Sequence, residues 1–123
     1  MKLRIRDNSL RLRITKTELK TFAAEKKVTC TINFPGGEKM EYVLAWSADE
    51  TYSASFSGNS VFAAVAKTAG QKWLQESEVS IDHKLAISDG SPFRLLVEKD
   101  FQCLSERKEE DESDMFVNPN THC

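Results

Sequence analysis

An internally duplicated α+β domain is the fold class this sequence predicts, on three observations. Two stretches repeat at an offset of 51 positions: Asn8-Ser9 recurs as Asn59-Ser60, Lys16-Thr17 as Lys67-Thr68, Phe22 as Trp73 and Val28 as Val79. Between these anchors the apolar positions keep phase, Leu3 with Ala54, Ile5 with Phe56, Leu10 with Val61, Leu12 with Ala63 and Ile14 with Val65. Each copy also keeps one order of strand, turn, strand, helix, strand. A unit of about 50 residues present only twice does not make a solenoid, which needs at least three. It predicts a single domain over residues 1–104, built from halves 1–46 and 52–99 about a pseudo-twofold axis, followed by an acidic tail over 105–123.

The elements follow in order. Residues 2–6 and 10–14 alternate strictly, aliphatic side chains on one face and Lys or Arg on the other, and Asp7-Asn8-Ser9 between them has turn chemistry, so they form a hairpin. Thr15-Lys16-Thr17-Glu18 is a capping box that starts a helix running to about Glu25, with Leu19, Phe22 and Ala23 inward. Residues 28–34 and 39–46 flank Pro35-Gly36-Gly37 as a second hairpin. Residues 52–56 and 60–65 flank Ser57-Gly58-Asn59 as a third. A second helix spans 67–75 with Trp73 and Leu74 buried, although Gly70 weakens it by about 1 kcal/mol relative to Ala. Residues 78–82 and 93–99 pair across an irregular loop. Beyond Leu104 no hydrophobic period remains.

The sum is about eight strands and two short helices. Short hairpin connections predict mostly antiparallel pairing, and eight such strands close into a barrel or fold as a strongly curved sheet. Reading from the second strand, the order β-α-β-β-β resembles that of the CYTH-like triphosphate tunnel fold, whose wide barrel repeats this unit. The resemblance is one of topology. The tunnel enzymes carry alternating glutamates on the first strand, in an E-x-E-x-K pattern that holds metal; here that strand reads Lys2-Leu3-Arg4-Ile5-Arg6, without a carboxylate. A polyphosphate hydrolase is therefore disfavoured.

Composition narrows the class further. At 123 residues with 40% hydrophobic and 29% charged side chains, the chain is an ordinary globular domain. No apolar run reaches the roughly 18 residues of a membrane span, and the alternating start has no signal-peptide core, so a cytoplasmic location is expected. Residues 1–27 hold nine basic and three acidic side chains, whereas 104–123 hold two and six. With a pI near 5.7, this polarity points to one end lying on the other, rather than to nucleic-acid binding.

Three groups of residues could carry chemistry. Arg4, Arg6, Arg11 and Arg13 share one strand face, a site for a phosphate-type anion if concave and unpaired, or a face solvated or neutralised by a neighbouring strand, for which residues 39–46 offer Glu41. Cys103, His122 and Cys123 supply zinc-type ligands, but adjacent His-Cys rarely reaches one ion and a buried structural thiol is the favoured reading of Cys103. His83 and His122 have no third group to orient them, so nucleophilic catalysis has no support, and no cofactor motif is present. Finally, Phe62 and Ala64 stand where the first copy has Arg11 and Arg13. That strand is apolar on both faces, which calls for a cover: a second subunit, a protein partner, or the chain's own Met115 and Phe116.

The segment from Lys2 to Thr15, Val97-Glu98-Lys99-Asp100-Phe101-Gln102-Cys103-Leu104, and the acidic stretch ending in Phe116 and Asn118-Pro119 together resemble a family of short, uncharacterised bacterial proteins. The resemblance implies a bacterial, cytosolic setting and no particular activity. The expected function is a non-enzymatic binding or interaction module, with an anion-binding protein, a degenerate CYTH-like barrel using its arginine face, as the alternative. The tail is expected to dock on the domain.

Overall fold

The computed structural model describes residues 1–101 and 113–117. Ten elements follow in chain order: β1 (Lys2–Arg6), β2 (Ser9–Ile14), α1 (Lys16–Glu25), β3 (Lys27–Asn33), β4 (Lys39–Trp46), β5 (Ser53–Ser57), β6 (Ser60–Val65), α2 (Lys67–Trp73), β7 (Ser80–Ala86) and β8 (Pro92–Lys99). They form two four-stranded sheets, sheet A in the order β1-β2-β8-β7 and sheet B in the order β3-β4-β6-β5.

The eight strands do not close into a barrel. Four hairpins pair antiparallel as their short turns require, but the hairpins join one another through parallel pairs, β2 with β8 and β4 with β6. The β2–β8 joint pairs residues 85 positions apart and the β4–β6 joint residues 19 apart, and no turn chemistry specifies either. The result is two open sheets whose inner faces share one core, instead of a continuous ring or a single curved sheet.

The registers of the two sheets repeat. Ser9 to Ile14 face Arg94 to Lys99, and Ser60 to Val65 face Glu41 to Trp46. Helix α1 carries the chain from sheet A to sheet B, and α2 carries it back. The offset itself changes along the chain. It is 51 through the second strand and 53 afterwards, because six residues separate Trp73 from Ser80 where only Lys26 separates α1 from β3, while α2 is three residues shorter than α1. Val28 therefore corresponds to the buried Ile81 and not to Val79, which is 37% exposed. Equivalent inner positions then match, Val28 opposite Leu44 and Ile81 opposite Val97.

The helices close one end of the core. Phe22 from α1 and Trp73 from α2, both at 1% exposure or less, meet edge to face with centroids 5.5 Å apart. Helices this short are marginal in isolation, and each burial of this kind contributes about 1.5–3 kcal/mol. At α1 the expected capping box forms: Thr15 Oγ1 accepts from the Glu18 N–H at 3.3 Å, and Glu18 Oε1 accepts from the Thr15 N–H at 3.0 Å. The second carboxylate oxygen of Glu18 pairs with the N-terminal ammonium, and the Met1 carbonyl accepts from Tyr42 Oη at 2.9 Å, tying β1 to sheet B.

The N-cap of α2 is Ala66, which offers no side-chain cap. Its amides are served from the loop after β4: Lys67 N–H donates to the Asp49 carbonyl at 2.8 Å and Thr68 N–H to Glu50 Oε1 at 3.0 Å. The equivalent bonds at α1 come from the tail, with Lys16 N–H donating to the Asp114 carbonyl at 3.0 Å and Thr17 N–H to Asp114 Oδ1 at 3.2 Å. Thr15 and Thr17 together hold the Asp114 carboxyl below its usual range. Beyond Asp114, Phe116 N–H donates to the Asp100 carbonyl at 2.9 Å and its ring lies edge to face with Phe101, 5.7 Å between centroids. Met115 is the buried member, at 5% exposure, and Phe116 is only half-buried.

Two predictions follow from this packing. Gly70→Ala should lower the melting temperature although helix propensity favours Ala by about 1 kcal/mol. A Cβ there would sit 2.4 Å from Trp46 Nε1. That ring is fixed by a stack on Phe22 and by donation to the Lys67 carbonyl at 2.9 Å. Displacing so held a ring costs about 1–3 kcal/mol; in a Trp46→Leu background the same substitution should become neutral or stabilising, as thermal denaturation would show. For the tail, Met115→Ala should destabilise by about 2 kcal/mol and by more than Phe116→Ala does; the reverse ranking in urea denaturation would place the anchor at the ring.

Candidate functional site

Alternation puts one set of side chains from sheet A into the core and the other set on the outside. The outer set comprises Lys2, Arg4 and Arg6 from β1, Ser9, Arg11 and Arg13 from β2, Arg94, Leu96 and Glu98 from β8, and Ser80, Asp82 and Lys84 from β7. Seven of these twelve are cations and two are carboxylates. Arg4 lies directly across the ladder from Arg11, and Lys2 from Arg13.

Two carboxylates organise part of this face. Glu98 pairs with Arg11 and accepts from Arg13 Nε at 3.3 Å. Burial pushes the Glu98 carboxyl up, but the Arg11 and Arg13 guanidiniums outweigh it and hold it below its ordinary value. Asp82 makes a forked pair with Arg94, at 3.0 Å to Nε and 2.7 Å to Nη2, which keeps its carboxyl low as well. Both members of that pair are about half exposed, so solvent screens their attraction. Arg4 and Arg6 have no ion pair among the described residues. A hollow of about 170 Å³ lies among Arg4, Arg6, Ser9, Arg11 and Arg94, floored by Leu10 and Leu96.

Three of the four arginines singled out in the sequence thus line one hollow, and Arg13 stands beside it on Glu98. Neutralisation comes from β8 and not from Glu41, since β4 belongs to the other sheet. Arg94 was invisible to the sequence pattern: it becomes a neighbour of Ser9 only through the parallel β2–β8 register.

The same positions on sheet B supply a comparison within the molecule. Lys2, Arg4 and Arg6 become Ser53, Ser55 and Ser57; Arg11 and Arg13 become Phe62 and Ala64; Arg94 becomes Glu41. Lys27, Lys39 and Glu41 are the charged strand residues on that face. Phe62 is 36% exposed, whereas Ala64 is 4% exposed. Met115 and Phe116 do not lie over this strand; the bonds of their segment run to α1, Asp100 and Phe101.

At the end of the sandwich away from the helices, an apolar groove of about 400 Å³ runs between the sheets. Ile5, Leu10 and Phe93 line it from sheet A, and Met40, Phe56 and Val61 from sheet B. His83 is stacked on Tyr52 with centroids 3.6 Å apart. The metal candidates Cys103, His122 and Cys123 lie outside the described residues; among those described, no three His, Cys, Asp or Glu side chains converge. No helix among them is long and apolar enough to cross a membrane.

The Glu98 environment predicts a pH dependence. A carboxyl held low in the folded state contributes stability that is fully present above its unfolded value near 4.5 and is lost as pH falls through its folded value. Acid titration of stability should therefore be steeper for the native chain than for Glu98→Gln in the range below pH 4.5. Identical acid profiles would show that the Arg11 and Arg13 pairs are without energetic weight.

Comparison with known proteins adds little chemistry and one family. Neither curated proteins nor solved structures give a match. Residues 1–120 match a family of unknown function, DUF7009, and the chain belongs to that family.

Proposed function

We propose that this protein acts by binding, and that its ligand is a multivalent oxyanion, phosphate or carboxylate, held on the outer face of sheet A. The observation that carries the reading is the contrast between the two sheets. A fold that needs cations at Arg4, Arg6, Arg11 and Arg94 would need them twice, yet the equivalent positions hold Ser55, Ser57, Phe62 and Glu41. Like charges across a strand pair destabilise it, so the arginines are an expense the architecture does not require. Guanidinium forks suit bidentate contact with phosphate or carboxylate. Arg11 and Arg94 are held in place by carboxylates, which leaves Arg4 and Arg6 to close on a ligand. The hollow has the volume of about six waters, enough for one tetrahedral oxyanion and part of its hydration. This use of the face requires neither a closed CYTH-like tunnel nor a bound metal.

A second reading draws on the apolar groove. Ile5 and Phe56, at 64% and 69% exposure, leave its mouth open, which favours a protein contact there.

Titration calorimetry with inorganic phosphate, tripolyphosphate and citrate at low salt tests the anion reading. Binding should weaken about tenfold for Arg4→Ala or Arg6→Ala, the scale of one charge-assisted hydrogen bond. Glu98→Gln should tighten it by removing a competing carboxylate, and added salt should weaken it throughout. A bound ligand should also raise the melting temperature. Absence of heat with all three anions would remove the reading.

A further inference from the structure

Strand β1 is an outer strand of sheet A, and it is only partly used. Among the described residues no main-chain hydrogen bond reaches Arg4, Ile5 or Arg6 from outside the β1–β2 hairpin. An edge strand presents every second peptide group unpaired, a template for another extended chain. Side chains along this edge alternate in kind. Arg4 and Arg6 belong to the cationic outer face, and Ile5, 64% exposed, belongs to the apolar groove. An incoming strand would meet guanidinium on one side and hydrocarbon on the other.

We propose that β1 accepts an extended acidic peptide of a partner protein as a fifth strand of sheet A. Carboxylates at alternate positions lie along Arg4 and Arg6, and the apolar residue between them rests beside Ile5. This rests on the anion reading above and gives that site its ligand. Main-chain bonds to the edge supply affinity without sequence preference, and the alternation of charge and hydrocarbon supplies the selection.

Charge chooses the occupant. A second copy pairing through its own β1 would set arginines against arginines across the new ladder, which is destabilising. The equivalent edge, β5, carries Ser53, Ser55 and Ser57, so nothing there selects an acidic strand. A helical peptide places same-face residues three or four apart, which mismatches the two-residue repeat of Arg4 and Arg6 and leaves the edge amides unpaired.

The test uses the full chain and two capped heptapeptides of one composition. One alternates glutamate with leucine between terminal serines; the other holds its glutamates in one block. The alternating peptide should bind about tenfold tighter, and the free-edge amides of β1 should gain hydrogen-exchange protection by NMR. Methylating the peptide nitrogens that face β1 should abolish its binding. Ile5→Ser should weaken the alternating peptide but leave phosphate binding unchanged. Arg4→Ser with Arg6→Ser, which gives β1 the serine pattern that β5 already tolerates, should abolish both. Equal binding of the two peptides without protection on β1, or phosphate binding with neither peptide bound, overturns strand addition while leaving the anion site standing. No binding of either peptide or of phosphate overturns both.

Discussion

The two parallel pairs at the centres of the sheets are the constraint on which the rest of this structure depends. β2 must find β8 and β4 must find β6, so neither half of the chain can complete a sheet by itself. Each hairpin of one half supplies the missing partner of a hairpin from the other. The helices are the crossovers this exchange demands, and they leave the sheets at the same end, where Phe22 and Trp73 meet. Pairing of strands so distant in sequence must close long loops before it is rewarded, an entropic debt that burial of the shared core offsets. The same constraint keeps the sheets open, since all hydrogen-bonding capacity of the inner strands is consumed within each sheet and β1 and β7, β3 and β5 are left as edges.

Exchange of halves constrains the inner faces and leaves the outer ones free. Inward positions keep apolar character at most equivalent pairs, because both contribute to one core. Outward positions diverge to cations on sheet A and to serine, threonine and apolar residues on sheet B. Two positions at the capped end diverge as well. Trp46, stacked on Phe22, corresponds to Lys99, whose ammonium donates to the Gln75 carbonyl at 2.7 Å. Lys99 is 3% exposed, and burial lowers its pKa against the opposing influence of Glu78 and Glu76. An ammonium there needs a roof of its own, and the Phe116 ring lies 5.5 Å from it.

The tail belongs to this same logic. In one half the loop directly after β4 reaches over to the start of α2; in the other, the chain after β8 reaches the start of α1 only at Asp114. The rungs that precede these reaches are equivalent, Ser47 N–H to the Val65 carbonyl at 2.9 Å and Asp100 N–H to the Ile14 carbonyl at 2.8 Å. Orphan amides at a helix start need an acceptor, and in each half a carboxylate from the following segment serves. Segment 113–117 thus behaves as part of the duplicated plan.

Local chemistry made the hairpins, the Thr15–Glu18 cap and the helix at Lys16–Glu25 legible in the sequence, because turn residues, capping side chains and apolar period act over a few positions. The duplication was legible for the same reason, and so was the shared face of Arg4, Arg6, Arg11 and Arg13, which needs only the two-residue period of a strand. The shift from Val79 to Ile81 was not, since an insertion in a link leaves the periodic signal on either side intact. Nor was Arg94 as a neighbour of Ser9, or Glu98 as the counter-charge in place of Glu41. Those depend on which hairpin lies beside which, and two open sheets or one closed barrel use the same hairpins. Only the pairing of distant strands in three dimensions decides between them, because hydrogen-bonding edges are alike along every strand and specificity comes from the side chains buried when two particular faces meet.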